Sequence, residues 1–204
     1  MGLPTNIKEI FFATLSGTKS VLEFEQWLYA DTQLESILSP EEYLDLIAYG
    51  YKEPAAKYGL FNLLEKHIDK GEYEKWRLLQ LLYQALSRNN NLPQILVTFY
   101  DLYFKGYKFL NNLGIGYGLS IECPPLYADS WNKLTSEQQQ QLLNSFYPAL
   151  EDEIRKVIYW LESGKVVPTG KQDNYDHFSY TDHRTTEDKK TSSYITDTSK
   201  TTPK

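Results

Sequence analysis

The sequence predicts an all-α fold: a single irregular antiparallel bundle or array of helices over residues 1–168, followed by a disordered tail over 169–204. Three observations carry this expectation. Apolar residues recur at helical spacing from residue 7 to residue 161. Capping signatures and Gly or Pro punctuation cut that stretch into segments joined by short links, the pattern of antiparallel helix packing. Beyond Pro168 the composition changes: residues 169–204 hold no Leu, Val, Trp or Met, and six acids balance six bases. Such a segment buries too little apolar surface to offset its ordering entropy.

Residues 7–15 form a short helix with Ile7, Ile10, Phe11 and Leu15 as its apolar stripe, ended by Ser16-Gly17-Thr18. Ser20 caps the next helix, with Glu23 in the capping-box position and Val21, Phe24, Trp27 and Leu28 on one face. Asp31 caps a short turn carrying Leu34, Ile37 and Leu38. Ser39-Pro40-Glu41-Glu42 is a second strong start: serine as N-cap, proline at the first helical position and Glu42 completing a capping box. Tyr43, Leu46 and Ile47 then face inward, Glu41, Glu42 and Asp45 face outward, and Gly50 is the stop.

A helix over residues 54–70, through Tyr58, Phe61, Leu64 and Ile68, is expected to stop at Gly71. The next runs over 72–88, Asn89-Asn90-Asn91 turns the chain, and Pro93 opens a helix through Leu96, Phe99 and Tyr103. Residues 106–129, with four Gly and two Pro, break the helical rhythm. Ser136-Glu137-Gln138-Gln139 reads as a capping box, and Pro148 starts a last helix with Leu150, Ile154, Val157, Ile158 and Leu161 on its apolar side, ended by Gly164. No fixed period of 30–50 residues marks a repeat solenoid.

Charge is the most uneven property of the chain. Residues 20–51 carry seven acids (Glu23, Glu25, Asp31, Glu35, Glu41, Glu42 and Asp45) and no Lys or Arg. The whole chain is −6 and this stretch contributes −7, so the remainder sums to +1. An ordinary solvated helix face mixes both signs, so the one-sided run reads as a docking surface for a basic partner. The acidic balance argues against nucleic-acid binding, which needs clustered Lys and Arg. No stretch approaches 18 apolar residues and no secretory signal opens the chain, so no membrane span is expected and the default address is the cytoplasm.

Chemical sites are scarce. One cysteine, Cys123, excludes an intramolecular disulfide, and without a nearby base it reads as a buried or semi-buried apolar residue. Gly114-Ile115-Gly116-Tyr117-Gly118 lacks the spacing and the preceding strand of a dinucleotide loop. Those glycines read as a tight turn where helices cross closely. His177 and His183 lie in the expected tail without further ligands of defined spacing, and His67 reads as a solvated helix residue. No cofactor, metal site or catalytic set is expected, and an enzyme is the reading placed last.

The segment Phe24-Glu25-Gln26-Trp27-Leu28-Tyr29, then Leu34-Glu35, then Tyr43-Leu44-Asp45-Leu46-Ile47, resembles the immunity proteins of bacterial polymorphic-toxin systems. The resemblance covers about residues 7–70, and the later stretches 102–119 and 147–166 are similar to that kind of protein as well. It implies a cytoplasmic protein that binds one cognate toxin domain and blocks it stoichiometrically, without catalysis. Many such toxins are nucleases with basic substrate-binding surfaces, which an acidic, aromatic-rich face can cover. The contact residues expected on that reading are Asp31, Glu35, Glu41, Glu42 and Asp45, with Tyr29, Tyr49 and Tyr51 as anchors. The alternative is a general helical adaptor or regulatory binding module without any toxin.

Overall fold

Helix starts fall where side-chain oxygens can take up free backbone N–H groups, and three of the five in the N-terminal part carry such a cap. The computed structural model describes residues 2–124 and 130–190. Helix α1 spans Thr5–Ser16 and ends at Gly17, whose φ of 79° is the left-handed C-cap that glycine adopts without cost. Helix α2, Val21–Ala30, opens on the Ser20/Glu23 capping box. The Asp31 carboxylate accepts from the N–H groups of Gln33 and Leu34 and starts the single turn α3, Leu34–Ile37. Helix α4, Pro40–Ile47, opens on the Ser39/Glu42 capping box with Pro40 in its first turn.

The next boundary differs from the expected one. Helix α5 covers Ala56–Leu64 and tightens into a 3-10 turn at Glu65–His67. Helix α6 then runs over Lys70–Leu86 with Gly71 inside its first turn rather than at a helix end. Asp69 decides this: its carboxylate accepts from the Glu72 N–H at 2.8 Å, a start signal that outweighs the glycine. Helix α7, Leu92–Phe104, has proline in its first turn.

After a 3-10 turn at Lys108–Leu110, Asn112–Gly118 forms a π-helix that runs into α8, Leu119–Glu122. The glycines there are not a loop; they let the π-helix lie against α7. A Cβ on Gly118 would sit 2.3 Å from the Leu96 carbonyl oxygen, and one on Gly114 would sit 2.9 Å from that of Phe99. The expected close approach is present, in helical form. Trp131–Lys133 is a further 3-10 turn. Helix α9, Ser136–Ser145, starts one residue earlier than expected: Thr135 is the cap and Gln138 its capping-box partner. Helix α10 covers Ala149–Glu162.

Strands β1, Val166–Gln172, and β2, Phe178–Asp182, pair as an antiparallel hairpin, with Val166 opposite Asp182 and a register irregularity between Pro168 and Gln172. A short helix α11, Thr186–Lys189, succeeds it. Residues 169–190 of the expected tail are therefore structured, while 191–204 lie outside the described residues, as do 125–129 of the Gly/Pro-rich stretch. Composition misled because bulk counts ignore alternation. Phe178 and Tyr180 point to one side of β2, and two aromatic rings bury enough area to dock a hairpin that has no Leu or Val beyond its first strand.

The fold is mostly all-α, with this two-stranded sheet as its β element. The chain divides into two compact units, Met1–Arg77 and Leu78–Lys204. The first has its core in Ile7, Phe11, Phe24, Leu28, Leu34, Leu46, Leu60 and Leu64, with Phe11 edge-on to Phe24 and Trp27. The second centres on Leu82, Leu96, Phe99, Tyr107, Leu113, Ile154, Val157 and Leu161. No helix among the described residues is long and apolar enough to cross a membrane.

Candidate functional site

In the first unit, the acids of residues 20–51, the expected contacts Asp31, Glu35, Glu41, Glu42 and Asp45 among them, differ in what they do. Glu23, Asp31 and Glu42 are tied into helix starts. The Glu23 carboxylate accepts from the Ser20 N–H at 2.7 Å, and Glu42 accepts from the N–H and hydroxyl of Ser39 at 2.9 and 2.7 Å. The serine side-chain hydrogen bond, then the backbone one, holds each of these glutamates below the usual carboxylate range. Glu42 also faces His67, whose Nδ1 lies 3.8 Å away.

Glu35, Glu41 and Asp45 are exposed and carry no such duty. The exposed residues Glu41, Leu44 and Asp45 of α4, with Ala48 at its C-cap, are spaced i, i+3, i+4 and i+7, so they form one outward stripe. Leu46 is buried on the opposite side. Of the seven acids in residues 20–51, Glu42 alone is within ion-pair distance of a basic side chain among the described residues. Among the described residues no ion pair compensates the negative charge of the stripe.

The three tyrosines separate clearly. Tyr29 is 59% exposed, and its hydroxyl reaches the Ile47 carbonyl at 3.4 Å, which sets the end of α2 beside the end of α4. Tyr51 is 4% exposed and donates to the Leu46 carbonyl at 2.8 Å. Burial pushes its phenol well above the ordinary tyrosine value, and it belongs to the core rather than to a contact face. Tyr49 is half-buried, packs edge-on against Tyr51 at 5.2 Å and donates to the Ala56 carbonyl at 2.8 Å. Its hydroxyl lies over Gly59, where an added Cβ would come within 2.2 Å. Tyr49 therefore ties the chain after α4 to the start of α5. Alternation along 49–51 does not tell which ring points inward; packing does.

Leu44 was missing from the expected contacts, yet it is 62% exposed between Glu41 and Asp45. Its place on the helical wheel, three residues after Glu41, was the available signal. Tyr58 on α5 is 75% exposed and adds a second uncovered ring to the unit.

His67 is not solvated: its imidazole is 11% exposed, sits edge-on to Phe11 at 6.4 Å, and burial lowers its pKa against the opposing pull of Glu42. Cys123 is exposed rather than buried, because it follows the last turn of α8. His177 pairs locally with Asp173 at 3.2 Å in the hairpin turn. Among the described residues no group of three or more His, Cys, Asp and Glu is placed to hold a metal ion. No protein-family model, curated protein or solved structure gives a significant match to the chain.

Proposed function

We propose that this chain is an immunity protein that binds a cognate bacterial toxin domain and neutralises it by occlusion. The contact face is the stripe Glu41-Leu44-Asp45 of α4, flanked by Glu35 and Tyr29. One observation carries the reading: these exposed acids have no basic partner among the described residues, and exposed apolar side chains stand among them. Uncompensated charge speeds encounter with a basic surface, and Leu44 and Tyr29 supply area that an associated partner desolvates. A nuclease is the toxin class whose substrate surface this charge complements, and the inhibitor acts in the cytoplasm without turnover. The resemblance of residues 24–47 to such immunity proteins points the same way.

The test is co-expression with the product of the adjacent upstream gene, scored by growth rescue and by isolation of the complex. Rescue by the wild type, lost on the combined change Glu41→Lys, Leu44→Ala and Asp45→Lys, is the expected result. Rescue that survives this triple change would remove the α4 stripe as the contact face. A neighbour that is neither toxic nor bound would overturn the immunity reading itself.

A further inference from the structure

In the second unit, the 3-10 turn at Lys108–Leu110, helix α10 and the region of α11 surround an open pocket of about 190 Å³. That is below the range of small-molecule pockets, about 300–1,000 Å³, so the space suits an ion or one small charged group. Five cationic side chains line it, Lys108, Lys156, Arg184, Lys189 and Lys190, beside the acids Glu153 and Asp188.

The ion pairs among the described residues leave positive charge over. Glu153, 6% exposed, takes Lys156 at 2.5 Å. Asp188 takes Lys165 at 2.8 Å, and Glu187 takes Lys190 at 2.6 Å. Asp182 is shared by two cations, Arg184 at 3.0 Å and Lys189 at 3.2 Å. Lys108 pairs with no acid among the described residues. Its ammonium stands over the Tyr103 ring at 4.2 Å, a contact that leaves its charge in place. Two charges are therefore unmatched in this set: that of Lys108 and one of the two on Asp182. By sequence, residues 191–204 hold a single acid, Asp197, beside Lys200 and Lys204, fewer acids than that surplus.

Arg184 is fixed in direction before any ligand arrives. Its side chain is 10% exposed and lies 4.6 Å over the buried Trp160 ring. Its Nε and Nη2 donate to the two Asp182 oxygens at 3.0 and 3.1 Å. A guanidinium carries five N–H donors, so the Nη1 edge takes no part in that fork. A planar fork already held in place loses little freedom when it meets a phosphate oxygen. At the rim, Asn111 donates to the Asn112 side-chain oxygen at 3.4 Å, which leaves the Asn112 amide nitrogen as a neutral donor. A phosphate monoester carries about −1.5 to −2 at pH 7 and three acceptor oxygens, which matches two unmatched cations with donors beside them. The geometry points to a binding site for a phosphate group, free or carried as a monoester, held by Arg184, Lys108 and Lys189. It lies within the second unit and does not depend on the acidic α4 stripe or on toxin binding.

Titration calorimetry on the full chain tests this, at constant ionic strength in chloride, with inorganic phosphate and glycerol 3-phosphate as probes and with acetate and glycerol as comparisons. Saturable one-to-one binding of at least one phosphate probe is expected. Binding of inorganic phosphate alone assigns a free anion, and binding of glycerol 3-phosphate assigns a site open to monoesters. Arg184→Gln should abolish binding. Lys108→Gln with Lys189→Gln should weaken it at least tenfold, the effect of losing a charge-assisted hydrogen bond. Arg184 also covers Trp160, whereas Lys108 and Lys189 are exposed, so the lysine pair decides the matter even should the arginine variant misfold. No saturable binding of either phosphate, binding of acetate as tight as that of phosphate, or affinity that survives the double lysine change overturns the proposal.

Discussion

The Phe178 ring lies stacked on that of Tyr107, with centroids 5.0 Å apart and planes 9° from parallel. Tyr107 is fully buried, so this contact makes the hairpin a cover for the core of the second unit. The backbone reinforces it: the Phe178 N–H donates to the Lys105 carbonyl at 2.6 Å. Gly106, at φ 113°, leaves room for the Phe178 carbonyl, which a Cβ there would approach to 2.4 Å. Tyr180 packs edge-on against Phe109 at 5.0 Å. Beyond the hairpin, Lys165 pairs with Asp188 at 2.8 Å, and Arg184 lies 4.6 Å over the Trp160 ring while it pairs with Asp182.

Removing the Phe178 ring should therefore lower stability. Phe178→Ala is expected to cost about 2 kcal/mol, the weight of a largely buried aromatic side chain. That is a fall of about 4–8 °C in melting temperature for a chain of this size. Tyr175→Ala, at an 81% exposed position in the same hairpin, should leave the melting temperature unchanged. Deletion of residues 170–204 should destabilise at least as much as Phe178→Ala. An unchanged melting curve on deletion would mean that the hairpin does not cover the core in solution.

The π-helix sets a second expectation. Gly118→Ala forces a methyl group to within 2.3 Å of the rigid Leu96 backbone, so α7 and the π-helix must part. A loss of about 1–3 kcal/mol is expected from such overpacking. Gly2→Ala, which meets nothing within 4 Å, is the matched control. Urea denaturation of the two variants side by side reads the difference as a shift in midpoint at constant slope.

On α4, the capping and outward residues should separate in their effects. Ser39→Ala removes the hydroxyl that accepts from the Glu42 N–H and should cost about 1 kcal/mol of stability. Glu41→Lys with Asp45→Lys touches exposed side chains in no ion pair among the described residues and should cost no more than about 1 kcal/mol, the penalty of a cation in the first turn of a helix. Tyr51→Phe should cost about 1 kcal/mol through the lost bond to the Leu46 carbonyl while leaving partner affinity unaltered. Thermal melts paired with binding assays distinguish a cap, a core hydroxyl and a contact residue.

The buried His67 gives a pH dependence with a definite sign. Burial lowers its folded-state pKa below the ordinary 6.5, so the unfolded chain binds the proton more readily. Its contribution is complete above pH 6.5 and is lost as pH falls from that value toward the lowered one. Glu42, also lowered, acts in a more acidic window: its contribution is present above the ordinary 4.5 and is lost as pH falls through its folded value. Melting temperature should fall from pH 7 toward pH 5, within reach of the ordinary histidine range, and His67→Leu should flatten that part of the profile. A slope unchanged by His67→Leu would assign the acid sensitivity to other groups.

Much of the first unit was legible in the residues. Ser20 with Glu23, and Ser39 with Pro40 and Glu42, specify their helix starts through contacts no more than three residues apart. The same wheel that places Leu46 in the core places Glu41 and Asp45 outside. The one-sided charge of residues 20–51 was likewise plain from counting. Where local signals competed, as Asp69 did with Gly71 and Thr135 with Ser136, the winner was the side chain whose oxygen reaches the N3 backbone N–H.

The sequence by itself determined the helical class, most helix starts and the acidic character of α4, because capping and amphipathic periodicity act within one or two turns of chain. Tertiary structure alone decided that Tyr51 is core while Tyr29 is surface, that Gly114 and Gly118 serve a π-helix against α7, and that Phe178 seals Tyr107. Those outcomes depend on which surfaces meet across long separations in the chain. A ring finds its burial from the partner it packs against, and no local pattern around Tyr107 or Phe178 names the other.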